Sequence, residues 1–175
     1  LVLHDCQLVN NTTLRGHGGA LDNAAGGHLD IFNSSISDNT ASAGHGGGLH
    51  NGSGAKLLLV QSAVQHNSAS GGGGGIYNGG TNALAEAVLR YSTIVHNSSG
   101  LSGGGVANSN LLRSTHTLIA CNRRGSTPDD FAGTAISDGY NLLGTASDAS
   151  GFTGPGEVKN LEARLRALSA PFGVL

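Results

Sequence analysis

The chain repeats itself, and that repetition constrains its fold more than any single motif does. Four glycine-rich segments each close on an asparagine: His17-Gly18-Gly19-Ala20-Leu21-Asp22-Asn23, Gly46-Gly47-Gly48-Leu49-His50-Asn51, Gly71-Gly72-Gly73-Gly74-Gly75-Ile76-Tyr77-Asn78 and Gly103-Gly104-Gly105-Val106-Ala107-Asn108. The closing asparagines stand 28, 27 and 30 residues apart. Between these segments runs a second repeated element, ending at Asn11, Asn39, Asn67, Asn97 and, in a weaker copy, Asn122, with spacings of 28, 28, 30 and 25. A unit this short cannot bury its own apolar face. It must stack on copies of itself.

Inside each copy the apolar residues alternate. Three residues before the closing asparagine stand Leu8, Ile36, Val64, Ile94 and Ile119; five before it stand the small residues Cys6, Ser34, Ser62, Ser92 and Thr117. Further back come the pairs Leu1/Leu3, Leu29/Ile31, Leu57/Leu59 and Ala87/Leu89, while the intervening positions vary freely. Period two with one apolar side means a strand with one buried face. No segment is long and helical enough for a βαβ crossover. The pattern therefore predicts an all-β fold: a right-handed parallel β-helix, or β-solenoid, of five to six coils of 25–31 residues. Each coil would hold two or three short strands and a glycine-rich corner, with equivalent residues ~4.8 Å apart along the axis. The handedness follows the rule for parallel crossovers. The repeated asparagines would form ladders of side-chain amides.

Residues 1–127 read as regular coils, and 128–175 as an irregular final coil with a capping segment of the same domain. Within the latter, Leu161, Leu165 and Leu168 fall at helical spacing. A short helix and an extended cover for the last coil both remain open there.

Composition narrows the function classes. There are 30 glycines but only 3 prolines and no Gly-X-Y period, so collagen is excluded. The aliphatic content is too high for a disordered linker. Only 11 % of residues are charged and the net charge is −2, which gives no attraction to nucleic acid or anionic membrane. No apolar run approaches the ~20 residues of a membrane span. The chain begins at Leu1 within a repeat, so it is expected to be a piece of a longer protein. Cys6 and Cys121 lie four coils apart, ~19 Å along the axis, too far for a disulfide. Cys6 is expected to act as a small buried hydrophobe.

The units Gly-Gly-Gly-Ile-Tyr-Asn (73–78) and Asn-Ser-Ser-Ile-Ser-Asp-Asn (33–39) resemble the repeats of bacterial secreted or surface β-helix proteins of the polymorphic outer membrane protein type. The chain is also similar to the choice-of-anchor Q group. That second likeness extends to Asp129-Asp130-Phe131, Gly139-Tyr140-Asn141-Leu142-Leu143-Gly144 and Phe152-Thr153-Gly154-Pro155-Gly156. The resemblance covers residues 1 to about 168. It implies a right-handed parallel β-helix located outside the cell or on its surface, and it implies no particular activity.

Three columns of side chains are candidates for chemistry. One residue before the closing asparagine, Asp38, His66, His96 and Cys121 would form a row of ligand types suited to Zn²⁺ or another divalent metal. Beside the second asparagine ladder stand Asp22, His50 and Tyr77, an acid–imidazole–phenol row of the kind that contacts carbohydrate. His17 and His45 share a third column on neighbouring coils. A polysaccharide-cleaving enzyme would cluster carboxylates, but Asp5, Asp22, Asp30, Asp38 and Glu86 occupy separate columns. Asp129 and Asp130 are adjacent, so they would point to opposite faces, as in a turn. The leading expectation is a non-catalytic, adhesin-like extracellular or cell-surface scaffold that binds a glycan or a protein partner. The alternatives are a polysaccharide lyase or hydrolase with an incomplete site, and a filament subunit that associates end to end with itself.

Overall fold

The computed structural model describes residues 1–146 and 148–160. The chain winds into a parallel β-helix of about five turns, and every described regular element is a strand. Each full coil contributes to four sheets, one more than the repeat pattern suggests. The first sheet begins with Val2–His4 and His28–Phe32, the second with Gln7–Val9 and Ser35–Ser37, the third with Thr12–Thr13 and Thr40–Ala41, and the fourth with Leu21–Asn23 and Leu49–Asn51. The third sheet's strands are only two residues long, too short for alternation to show in a sequence. All pairings between coils are parallel; Arg123–Arg124 and Thr127–Pro128 pair antiparallel within one coil, where the regular repeat breaks. Of the segment 160–168, read as either helix or cover, all but Asn160 lies outside the described residues.

The inward columns are those the alternation marks. Leu8, Ile36, Val64, Ile94, Ile119 and Leu143 align across the second sheet, and from Ile36 onward they are essentially sealed from solvent. Leu21, Leu49, Ile76, Val106 and Phe131 do the same in the fourth sheet. At the C-terminal end Phe131 meets Phe152 edge to face, with centroids 5.0 Å apart. Cys6 departs from expectation. It sits in the first coil, where no coil covers it on one side, so it is only half-buried, and its thiol donates to the His4 carbonyl. It is not joined to Cys121.

Corners are turned in two ways. Between the first and second sheets, and between the second and third, one non-glycine residue per coil adopts a left-handed conformation. Asp5, Asn33, Gln61, Tyr91, His116 and Tyr140 do so at the first corner, and Asn10, Asp38, His66, His96 and Cys121 at the second. Approaching the fourth sheet, Gly18, Gly46, Gly73 and Gly103 take φ of 57 to 68°. A Cβ at Gly73 would lie 2.3 Å from the Ile76 carbonyl oxygen, so no side chain fits. At Gly74 a Cβ would stand 2.3 Å from the Gly104 carbonyl of the next coil. The five-glycine run therefore reflects one tight turn plus close approach between coils.

Polar groups inside the stack are satisfied by ladders. The backbone N–H and the Nδ2 of Asn39 both donate to Oδ1 of Asn67, and the same double bond recurs from Asn67 to Asn97 and from Asn97 to Asn122. Each Nδ2 also reaches a carbonyl of the preceding coil, as Asn67 does to Ile36 at 3.0 Å. A second ladder joins Asn23, Asn51, Asn78 and Asn108 at 2.7–2.8 Å. Such a stack leaves donors facing its C-terminal end, and three carboxylates accept them. Asp130 accepts from both N–H groups of Asn122, Asp129 accepts the Gly103 N–H at 2.9 Å, and Glu157 accepts from Nδ2 of Asn141 at 2.9 Å. The adjacent Asp129 and Asp130 are thus both buried, which a simple turn would not require. Burial raises the pKa of each above the usual carboxylate value, opposed by the N–H groups that donate to them.

Candidate functional site

The outward column of the fourth sheet carries Asp22, His50 and Tyr77 in register, followed by Ala107. Strand alternation puts them there: in Leu49–Asn51, Leu49 and Asn51 point inward and His50 outward. The neighbouring corner carries His17 and His45, and the fold brings the two columns together. His17 stacks on His50 with centroids 4.4 Å apart and on His45 at 5.3 Å. Tyr77 packs against His45 at 4.4 Å and against His50 at 5.5 Å. Four rings from three successive coils make one block.

Hydrogen bonds fix the rings. His50 Nδ1 lies 2.7 Å from Asp22 Oδ1, so Nδ1 carries the proton and Nε2 is the acceptor of the neutral ring. The His45 N–H donates to His17 Nδ1 at 3.0 Å, and the Gly72 N–H to His45 Nδ1 at 2.9 Å. In those two rings Nε2 therefore holds the proton. Glycine supplies the room: a Cβ at Gly71 would fall 2.6 Å from His45 Nδ1, and one at Gly79 would lie 2.8 Å from the Tyr77 ring. Burial, then the charges of His17 and His50, hold the His45 pKa below its ordinary 6.5. Burial also lowers that of His50, against the hydrogen bond and charge of Asp22. Only 12 % of the His50 side chain is exposed, against 44 % for Asp22. The block thus presents mixed donors and acceptors on a rigid aromatic base, with its two most enclosed imidazoles neutral at neutral pH.

The other column remains a row and does not become a cluster. Asp38, His66, His96 and Cys121 occupy equivalent corner positions with φ between 54 and 60°. His66 and His96 stack with centroids 5.3 Å apart and planes 12° from parallel. A metal lies in the plane of each imidazole that binds it, and two stacked planes share no such point. Among the described residues, no three His, Cys, Asp or Glu side chains come together where they could hold a metal ion. Burial, and then His66, lower the His96 pKa. No helix among those residues is long and apolar enough to cross a membrane.

Sequence reasoning assigned His17 and His45 to a separate column and so missed their contact with His50 and Tyr77. The signal was a shared offset: His17 precedes Asp22, and His45 precedes His50, by the same five residues. The chain matches no family model, no curated protein and no solved structure.

Proposed function

We propose that the chain is a non-catalytic β-helix scaffold, displayed outside the cell or on its surface, that contacts glycans through the block of His17, Asp22, His45, His50 and Tyr77. The observation that carries this reading is the convergence of two columns into one rigid, polar-edged aromatic surface. Sugars are recognised by planar hydrogen-bonding groups set beside aromatic rings, and rings held by stacking lose little freedom on binding. The resemblance of the repeats to bacterial surface β-helix proteins supports the location. The carboxylates that do adjoin, Asp129 and Asp130, are engaged as ladder ends: Asp129 accepts the Gly103 N–H, and the two oxygens of Asp130 accept from Asn122 and Thr145.

A second reading, a polysaccharide-cleaving enzyme, is favoured by the Asp22–His50 pair alone, because a carboxylate-oriented imidazole with Nε2 unprotonated can act as a general base. A glycan-array screen run beside a polysaccharide-degradation assay separates the two. Binding without release of reducing or unsaturated ends, weakened in His50→Ala and Tyr77→Ala, is expected. Release of such ends by the wild-type chain, abolished in His50→Ala, would establish the enzyme instead.

A further inference from the structure

A groove unconnected with that block runs along the corner between the first and second sheets. It crosses four coils as a shallow, solvent-open depression of about 400 Å³. Its floor is the small-residue column of Cys6, Ser34 and Ser62, whose serine hydroxyls are already bonded to backbone. One wall is the left-handed corner column, Asp5, Asn33 and Gln61; the other is formed by outward positions of the second sheet, among them Gln7, Ser35 and Thr93. Among the described residues, the side-chain amides of Asn33 and Gln61 have no hydrogen-bond partner. Tyr91, the next member of the corner column, closes the C-terminal end. One face of its ring stacks on His116, which in turn stacks on Tyr140, with centroids 4.8 and 4.9 Å apart. The other face borders the groove, and Tyr91 is 57 % exposed.

We infer that this groove is a binding site for a neutral oligosaccharide, with one pyranose ring packed on the open face of Tyr91 and its hydroxyls turned to the Asn33 and Gln61 amides. The chemistry of the walls selects the class. Among the described residues that line the groove, Asp5, at its far end, is the one charged group, and none is a Lys or Arg that would meet an acidic polysaccharide. Two neutral side-chain amides, Asn33 and Gln61, stand on successive coils ~4.8 Å apart and offer both donors and acceptors to sugar hydroxyls. A peptide that binds by strand addition needs an unpaired strand edge. The strands flanking the groove in the interior coils are paired on both sides. Tyr91 also holds a backbone conformation, φ 50°, that costs a tyrosine about 1–2 kcal/mol relative to the right-handed region. A ring kept there, backed by a second ring, is a preorganised platform.

This inference rests on the glycan-binding reading but not on its site, so variants at the two sites separate them. The wild-type chain, Tyr91→Ala, Tyr91→Phe, Gln61→Ala and Tyr77→Ala are each titrated calorimetrically with cellohexaose, maltohexaose, xylohexaose and a short Gln-Ser peptide, after circular dichroism has shown each variant folded. Binding of a hexasaccharide is expected, weakened about tenfold in Tyr91→Ala, a loss of ~1.4 kcal/mol, reduced in Gln61→Ala and retained in Tyr91→Phe. Saccharide binding that Tyr91→Ala leaves intact overturns the groove while sparing the proposed function. Binding of the peptide alone overturns the ligand class. Binding of none of the hexasaccharides overturns the groove as a neutral-saccharide site, while the glycan array decides the block independently.

Discussion

Asn67→Ala tests the principle on which this stack is built. Asn67 is 1 % exposed, and its Oδ1 accepts both the backbone N–H of Asn39 at 3.0 Å and its Nδ2 at 2.9 Å. Removing that oxygen strands the Asn39 N–H in a residue that is itself 0 % exposed. A buried donor left unpaired costs about 1–3 kcal/mol. The Ile36 carbonyl loses a partner as well, and the vacated volume adds a smaller cost, for a total of about 2–4 kcal/mol against a typical whole-domain stability of about 5–15 kcal/mol. Asn39 Nδ2 keeps its bond to the Leu8 carbonyl, which bounds the loss. The comparison is Asn11→Ala in the same column. Asn11 is exposed, and among the described residues its side chain accepts no hydrogen bond, so its loss should cost less than about 1 kcal/mol. Urea unfolding followed by far-ultraviolet circular dichroism gives both numbers, provided the slopes match wild type, since repeat arrays can lose cooperativity. Equal costs for the two variants would refute the ladder as a stabilising element.

His45, His50 and His96 all have folded pKa values below 6.5, so below that pH the unfolded chain takes up protons that the folded rings refuse. Their contribution is present above 6.5 and is lost as pH falls through and below that value. Urea midpoints should therefore drop between about pH 7.5 and 5.5, with a shallower slope in His50→Gln. A profile as steep in the variant as in wild type would contradict the assignment for His50. Ile94→Asp places a carboxylate on a fully buried column and should abolish the sheet signal, whereas His66→Ala, at an exposed corner, should shift stability by no more than about 1 kcal/mol. A folded Ile94→Asp chain would show that the column is not inward.

The two candidate surfaces differ in how legible they are. Asp22, His50 and Tyr77 could be read as one row because strand alternation and a constant period fix both their face and their register. Their union with His17 and His45 depends on the angle at which the chain turns past Gly18 and Gly46, and that angle is a property of left-handed φ values in a packed corner. Asp129 and Asp130 were illegible for a different reason. They stand where the period breaks, and their role is defined by donors that Asn122 and Gly103 present from an earlier coil.

By itself, then, the sequence determined the solenoid, the inward columns and the asparagine ladders, because parallel stacking repeats one local pattern at a fixed pitch and period two survives in every copy. Tertiary structure decided what that pattern cannot encode. It set the number of sheets per coil, which turns on two-residue strands; the meeting of side chains across corners; the open ring face at Tyr91; and the carboxylates that end the ladders. Each of these depends on distances between coils or around a corner, and no local alternation along the chain carries that information.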